Sequence, residues 1–318
     1  VAKIFAVGKA FCYTGNVSVM ASGRKLPFRE VKVEFNQQLL KHYWKRHLES
    51  EHQQPHLFSS VHVFESLPST NQMAWQLLSQ GEKQGCVVIA QQQTAGKGQW
   101  GRQWLSPQGG LYISLGIPLQ LEVANGYQLT LASAWGIASQ LKNCGVEARI
   151  KWPNDLVLNR RKLGGILTET KVQQGQITQV VIGVGVNWKN PVPETGINLH
   201  SWQNENLWPI SGLEMLAAQV LLGIQSGLDC LQDEGISIVL SHYLDLLINL
   251  GDQVCVNIPF SGENEDNLVE TGVLATVVGV TPQGHLRLQT SGNREELIQE
   301  EISLEPGTIS LGYTQFSV

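Results

Sequence analysis

From residue 58 onward the chain alternates between the period of strands and the period of helices. VHVFE alternates apolar and polar positions and predicts a strand. Ser69 then sits where an N-cap belongs, before a helix through TNQMAWQLLSQ that Gly81 ends. CVVIAQQQ predicts a buried strand, and LYISLGIPL another that Pro118 stops. YQLTLASAWGIASQLKNCG carries a helical period, with Gly145 just past its end. Three strand candidates follow in series: ARIKWPNDLVLN, KLGGILTETKVQ and TQVVIGVGVNW. Consecutive strands of this kind predict a mixed sheet rather than a doubly wound parallel one. LEMLAAQVLLGIQSGLDCLQ and ISIVLSHYLDLLINL predict two more helices. After Gly251 the pattern shortens to QVCVNIPF, ETGVLATVVGVT, HLRLQT and ISL, with a turn at Pro282-Gln283-Gly284. The predicted class is α+β: a mixed sheet flanked by helices over 58–250, then a small β-barrel or sandwich over 251–318.

Residues 1–57 follow neither pattern. GNVSVMASGRKLPFRE has no sustained period, which predicts an N-terminal extension that is partly disordered. Within it FNQQLLKHYWKRHLES predicts one amphipathic helix with Leu39, Leu40, Tyr43 and Leu48 on one side. His42, His47, His52, His56 and His62 recur here, but no cysteine or compact acidic set accompanies them, so solvated polar positions are expected rather than a metal site.

Composition narrows the function without naming it. The chain has 318 residues, 42% hydrophobic and 15% charged, with a formal charge of −5. No dense basic stripe exists beyond Lys41, Lys45 and Arg46, so no nucleic-acid partner is expected. Five cysteines, Cys12, Cys86, Cys144, Cys230 and Cys255, are scattered and form no C-x-x-C pair. That usage suits a reducing cytoplasm rather than a disulfide scaffold or a zinc site. No apolar run is long enough to cross a bilayer, so no membrane association is expected.

The candidate chemistry begins at QTAGKGQWGR, residues 93–102. Gly96, Gly98 and Gly101 are spaced G-x-G-x-x-G, but a dinucleotide fingerprint needs a helix directly after the loop. Here RQWLSPQGG follows, and Pro107, Gly109 and Gly110 forbid one. The Walker pattern is also missing. What remains is either a surface turn or a loop whose backbone N–H groups, Lys97 and Arg102 fold around an anion. KWPNDLVLNRRKLGGIL at 151–167 supplies context. Pro153 holds Trp152 extended, so Lys151, Asn154 and Asp155 surround a rigid bend, and Asn159-Arg160-Arg161 predicts a hairpin turn before Lys162. GVGVNW then places Asn187 at a strand end, where it could serve a metal–phosphate group.

Together, S-T-N-Q at 69–72, Q-T-A-G-K-G-Q-W-G-R at 93–102, K-W-P-N-D at 151–155, R-K-L-G-G-I-L at 161–167 and G-V-G-V-N at 183–187 resemble, in order, the motifs of biotin–protein ligases. The resemblance runs from about Val61 to the end, and the KWPND block is its most specific part. It implies a biotin–[acetyl-CoA-carboxylase] ligase of the monofunctional type, without a DNA-binding domain. The implied fold is a mixed sheet related to class II aminoacyl-tRNA synthetases, followed by an SH3-like barrel. The implied activity joins biotin to ATP, with Mg²⁺, as biotinyl-5′-AMP, then passes biotin to a lysine of a biotin carboxyl carrier domain.

By the same resemblance, Ser69, Thr70, Asn71 and Gln93 line the biotin pocket, and the backbone of Lys97, Gly98 and Gln99 closes over biotin and the adenylate. Lys151 neutralises charge between the biotin carboxyl and the phosphate. Gly96, Gly101, Arg102, Trp104, Asn154, Lys162 and Asn187 lie on the ATP and adenylate side, with Mg²⁺ held mainly by the phosphates. Lys151, Arg102 and Asp155 form the implied catalytic set, and Asp155 could assist deprotonation of the acceptor lysine. No nucleophilic side chain is needed, since biotin's own carboxylate attacks the α-phosphorus.

One departure stands out. The family loop is commonly G-R-G-R-x-G-R, whereas this chain carries Lys97 and Gln99 at the first two arginine positions. Lysine brings charge without a guanidinium fork, and glutamine brings none, which predicts looser retention of the adenylate. Three rival readings remain: a lipoate or octanoate ligase of the same superfamily, a biotin-sensing repressor, and a non-enzymatic biotin-binding module. Family members also use an exposed sheet edge for dimers or for docking the carrier, so a homodimer is possible.

Overall fold

The computed structural model describes residues 35–48, 57–204, 209–258, 271–290 and 300–313. After α1 (Gln37–Leu48) come β1 (Ser60–Leu67), α2 (Thr70–Ser79), β2 (Cys86–Gln93), β3 (Leu111–Glu122) and α3 (Gln128–Asn143). β4 (Arg149–Lys151), β5 (Asp155–Leu158), β6 (Arg161–Gln173) and β7 (Gln176–Val186) follow, then α4 (Leu199–Asn204), α5 (Leu213–Asp233) and α6 (Ile236–Leu246). The chain continues through β8 (Gln253–Ile258), β9 (Thr271–Val280), β10 (Leu286–Thr290) and β11 (Glu301–Leu304). The first seven strands form one sheet in the order β1-β2-β3-β7-β6-β5-β4, and the last four a second sheet in the order β11-β10-β9-β8. Only β1 and β2 pair in parallel, so the large sheet is mixed, as expected. The small antiparallel sheet is consistent with an SH3-like domain.

Two-residue alternation distributes β2 between two cores. Val87 and Ile89 belong to the main core together with residues of α1, α3 and α5, while Cys86, Val88 and Ala90 pack in a second core with Met73, Ala74, Leu77 and Leu78 of α2. Burial pushes the Cys86 thiol up to about 12, so it is an inert packing group.

Three details differ from the sequence reading. Pro118 does not stop β3, which runs on to Glu122 with a register shift between Pro118 and Leu121. β2 pairs only as far as Gly116, so beyond it β3 has β7 as its single neighbour, and a missing N–H is tolerated on that open side. ARIKWPNDLVLN is not one strand but the β4–β5 hairpin: Trp152, Pro153 and Asn154 make the turn, the Trp152–Pro153 peptide is cis, and Lys151 pairs with Asp155. The turn expected at Asn159-Arg160 is present, with φ of 48° and 56°, the left-handed pair that tight hairpins require.

The third difference concerns α1. Asn36 caps it, its Oδ1 accepting from the N–H groups of Gln38 and Leu39, while its own N–H donates to Glu214 at the start of α5. Leu40 and Trp44, four residues apart, are buried in the main core, whereas Leu39 is exposed. The inward stripe is thus Leu40–Trp44, with Tyr43 partly buried beside it. Burial of such side chains contributes roughly 1.5–3 kcal/mol each, which ties this helix to the sheet domain. Residues 1–34 and 49–56, on which the expected disorder falls, lie outside the described residues.

Candidate active site

The C-terminal end of β2, the start of α2, the glycine loop and the β4–β5 turn meet over β6 and β7. Together with Ile309, Ser310 and Leu311 from the C-terminal segment they enclose a cleft of about 160 Å³.

One end of the cleft is neutral and interlocked. Ser69 begins α2 without a side-chain cap bond, and the N–H of Thr70 is taken instead by Gln93 Oε1 at 2.8 Å. Gln93 in turn donates from Nε2 to Ser106 Oγ at 2.8 Å. The buried Ser114 hydroxyl stands 2.7 Å from Thr70 Oγ1 and 2.6 Å from Asn71 Oδ1. Asn71 Nδ2 donates to Glu169 Oε2 at 2.9 Å, which fixes the amide's orientation because a carboxylate accepts only. Trp75 Nε1 donates to the same carboxylate oxygen at 3.2 Å. The floor is Gly183 and Gly185, on one face of β7: a Cβ on Gly183 would collide with Asn71 Oδ1, and one on Gly185 with the Trp104 indole. Glycine is required here for close approach, not for a special φ.

The other end is ionic. Asp155 accepts a 2.7 Å contact from Lys162 Nζ on Oδ1, while Oδ2 lies 3.6 Å from Lys151 Nζ. Lys97, Arg102, Lys151 and Lys162 line the cleft against the single carboxylate of Asp155, so this end carries surplus positive charge fit for a polyanion. Burial holds the Lys151 ammonium below the ordinary lysine range; Asp155 opposes that shift, and Lys162 and Arg102 add to it. Lys162 Nζ lies 5.1 Å from the Trp104 ring. The Trp104 Nε1–H is buried without a partner among the described residues, a donor still open to a ligand acceptor.

The turn that carries Lys151 and Asp155 is fixed from three sides. Asn154 Nδ2 donates to the carbonyl of Ile166, Tyr243 donates its hydroxyl to the carbonyl of Pro153 at 3.0 Å, and Trp152 Nε1 donates to the carbonyl of Gly284 at 2.9 Å. The glycine loop, by contrast, folds mostly on itself: the Gly98 N–H donates to the carbonyl of Arg102 and the Trp104 N–H to that of Gly96. No helix follows it before β3, which agrees with the exclusion of a dinucleotide fingerprint.

This layout has counterparts among known proteins. The pattern of the biotin/lipoate A/B protein ligase family matches residues 63–187. The bifunctional ligase/repressor BirA of Escherichia coli is 33% identical over 251 residues, covering 77% of this chain and 74% of that protein. The chain belongs to this ligase family. A biotin–[acetyl-CoA-carboxylase] ligase of Paracoccus denitrificans is 37% identical over 122 residues, 37% of this chain and 50% of that one. A biotin protein ligase from Aquifex aeolicus, solved in complex with biotin and ATP, shares the fold with a TM-score of 0.57 at 23% identity, covering 77% of this chain and 99% of that chain.

Of the residues singled out for the family's chemistry, the cleft gathers Ser69, Thr70, Asn71, Gln93, Lys97, Gly98, Gln99, Arg102, Trp104, Lys151, Asn154, Asp155 and Lys162. Three others stand outside it. Gly96 is buried against Trp104 and Ser106, and Gly101 holds a φ of 74°, so both shape the loop rather than line the cleft. Asn187, expected on the ATP and adenylate side, lies beside the cleft at the end of β7. Its Nδ2 donates to the carbonyl of Lys162 and its Oδ1 accepts from Asn190, so it supports the strand that carries Lys162. Sequence reasoning missed Ser114, Glu169, Trp100 and the 309–313 segment. The one serine inside LYISLGIPL and the one carboxylate inside KLGGILTETKVQ were available signals for the first two.

Proposed function

We propose that this chain is an ATP-dependent biotin–protein ligase that forms biotinyl-5′-AMP and transfers biotin to a lysine of a biotin carboxyl carrier domain, that of acetyl-CoA carboxylase being the expected acceptor. The observation that carries this reading is the division of one cleft into a neutral amide-and-hydroxyl end and a cationic end. A cyclic urea needs the first, and a carboxylate meeting a triphosphate needs the second. Ser69, Thr70, Asn71 and Gln93 hold the ureido ring. The valeryl carboxylate then points along the glycine floor toward Lys151.

In the first step the carboxylate oxygen attacks the α-phosphorus, and pyrophosphate leaves. Lys151 neutralises the charge gathering on the α-phosphoryl oxygens, while Arg102 and Lys162 hold the phosphates in line. Among the described residues no three His, Cys, Asp or Glu side chains converge. The lining carboxylate, Asp155, is already met by ammonium groups, so the donor set fits Mg²⁺ carried on the nucleotide phosphates rather than in a protein cage. When bound, Mg²⁺ supplies further neutralisation of the departing pyrophosphate. In the second step the acceptor amine attacks the mixed anhydride, AMP leaves, and the amine's proton must go to a base; Asp155 is the lining group able to receive it.

The described cysteines are free, which suits a cytoplasmic setting, and among the described residues no helix is long and apolar enough to cross a membrane. Of the two edge strands, β4 meets Leu247 through a bridge at Ile150, so β1 is the edge with backbone to offer the carrier or a second copy of the chain.

The test is to incubate the chain with ATP, Mg²⁺ and an apo carrier domain, offering biotin or lipoate separately, and to weigh the carrier by mass spectrometry. One biotin adduct on one lysine is expected. A lipoyl adduct in its place would move the chain to the lipoate branch of the family, and no adduct with biotin-independent ATP turnover would sink the reading.

A further inference from the structure

The Lys151–Asp155 pair is touched by a side chain from outside the catalytic sheet. Tyr313 follows β11, and its hydroxyl donates to Asp155 Oδ2 at 2.6 Å. Its ring centroid lies 4.3 Å from Lys151 Nζ. One residue, 158 positions from Asp155, therefore contacts both members of the pair. Its segment is well anchored: Leu311 is buried in the main core, and Gly307 is packed beneath the Trp100 indole.

We propose that Tyr313 is a positioning residue for Lys151, its ring supporting the ammonium and its hydroxyl orienting the Asp155 carboxylate, so that Lys151 enters the adenylation step charged and in place. The proposal rests on the ligase reading above.

The argument is one of competition for a single negative charge. Lys162 takes the short contact with Asp155, at 2.7 Å, and Lys151 is left at 3.6 Å. Burial disfavours the Lys151 charge, and the groups facing it are Asp155, which favours it, and Lys162 and Arg102, which oppose it. The aromatic face adds attraction where the carboxylate is shared, since a ring quadrupole stabilises a desolvated cation. The hydroxyl keeps its proton at any working pH, because burial, then the Asp155 charge, hold the Tyr313 phenol above the ordinary tyrosine range. Tyr313 thus remains a donor to Oδ2 and prevents that oxygen from turning away.

Three ways of altering Tyr313 separate its two contacts. Tyr313→Phe keeps the ring and removes the hydroxyl. Tyr313→Leu and Tyr313→Met remove both and differ in shape, so that one serves if the other does not fold. The readout is kcat/KM for biotin-dependent pyrophosphate release by the full chain, followed across about pH 6 to 10, since that profile reports the ionisations of the free enzyme. The sign is set by Lys151: Leu and Met keep an apolar group over the ammonium and remove only the ring's attraction, so burial then lowers its pKa further and the active ammonium form disappears at lower pH. Tyr313→Phe is expected to keep the wild-type alkaline limb and lose about threefold to tenfold in rate from the lost charge-assisted hydrogen bond. Tyr313→Leu or Tyr313→Met is expected to move the alkaline limb to lower pH and lose about tenfold more. An unmoved limb in a folded ring-free variant overturns the proposal, whether the rate falls or not, because mere loosening of the segment lowers activity at every pH alike. A wild-type chain that releases no pyrophosphate with biotin overturns the ligase reading, and this proposal with it. An active wild type with overlaid variant profiles overturns Tyr313 alone.

Discussion

The two ends of the cleft are built on opposite principles. At the Ser69–Asn71 end the polar groups are largely satisfied before any ligand arrives: Thr70, Asn71, Gln93, Ser106, Ser114 and Glu169 hold one another through contacts of 2.6–3.2 Å. At the Lys151 end the charges are deliberately unbalanced, with four cations lining the cleft against one carboxylate. A fully paired network behind uncharged lining groups gives fixed geometry, because breaking any one bond strands a partner. A surplus of charge gives instead a standing attraction that only an incoming anion completes. The lesson is a division of labour: the first end selects a ligand by shape and donor pattern, and the second lowers a barrier.

The comparison is broken most sharply by removing the central cation. Lys151→Ala is expected to lower kcat for biotin-dependent pyrophosphate release by about 10²- to 10³-fold, the usual cost of losing one preorganised group aimed at developing charge. Biotin affinity in the absence of ATP, measured by calorimetry, should change far less. Comparable losses of both would mean that Lys151 acts in binding rather than in the reaction.

The opposite end is broken by adding one methyl group. Gly183→Ala drives a Cβ into Asn71 Oδ1, and Asn71 has nowhere to go, since Ser114 and Glu169 hold both ends of its amide. Weaker biotin binding by about 10- to 100-fold is expected, of the order seen when buried polar partners are left unpaired. The KM for ATP should stay near its wild-type value. If biotin binding survives intact, the interlocked network is not what shapes that end.

How much of this arrangement the chain announces depends on sequence distance. The strands, the helices and the motif residues are legible because each rests on a local pattern: alternation in CVVIAQQQ, the cap before TNQMAWQLLSQ, the bend at KWPND. Where local reading failed, a neighbour had changed the rule. Pro118 continues a strand because β2 ends opposite Gly116, and Trp44 turns inward because α5 lies on its side of α1. The bond from Asn187 to the Lys162 carbonyl is likewise not readable from GVGVN, since it joins positions 25 residues apart. Tyr313 had no local signal at all: it meets Asp155 only because the small C-terminal sheet packs against the β4–β5 turn, where Gly284 accepts from Trp152.

The smallest expected effect tests whether the glycine loop belongs to either end. Gln99 lines the main cleft and also a neighbouring recess of about 420 Å³ walled by Tyr127, His285 and Glu305. Its amide is loosely held: Nε2 lies 3.4 Å from the Tyr127 hydroxyl, and Oε1 is buried without a partner among the described residues. Such a side chain contributes neither charge to the adenylate nor much rigidity to the loop. Gln99→Arg restores the charge that the family loop commonly carries at this position. A guanidinium directed into the cleft should slow release of free biotinyl-5′-AMP by about two- to fivefold, the range of a half-exposed ion pair, and leave its synthesis unchanged. The measurement is a filter assay of adenylate leaving the enzyme when no carrier is present. An unchanged release rate would mean that the new cation has turned to Glu305 in the recess, and that retention of the intermediate depends on Trp104, Lys151 and Lys162 rather than on the loop.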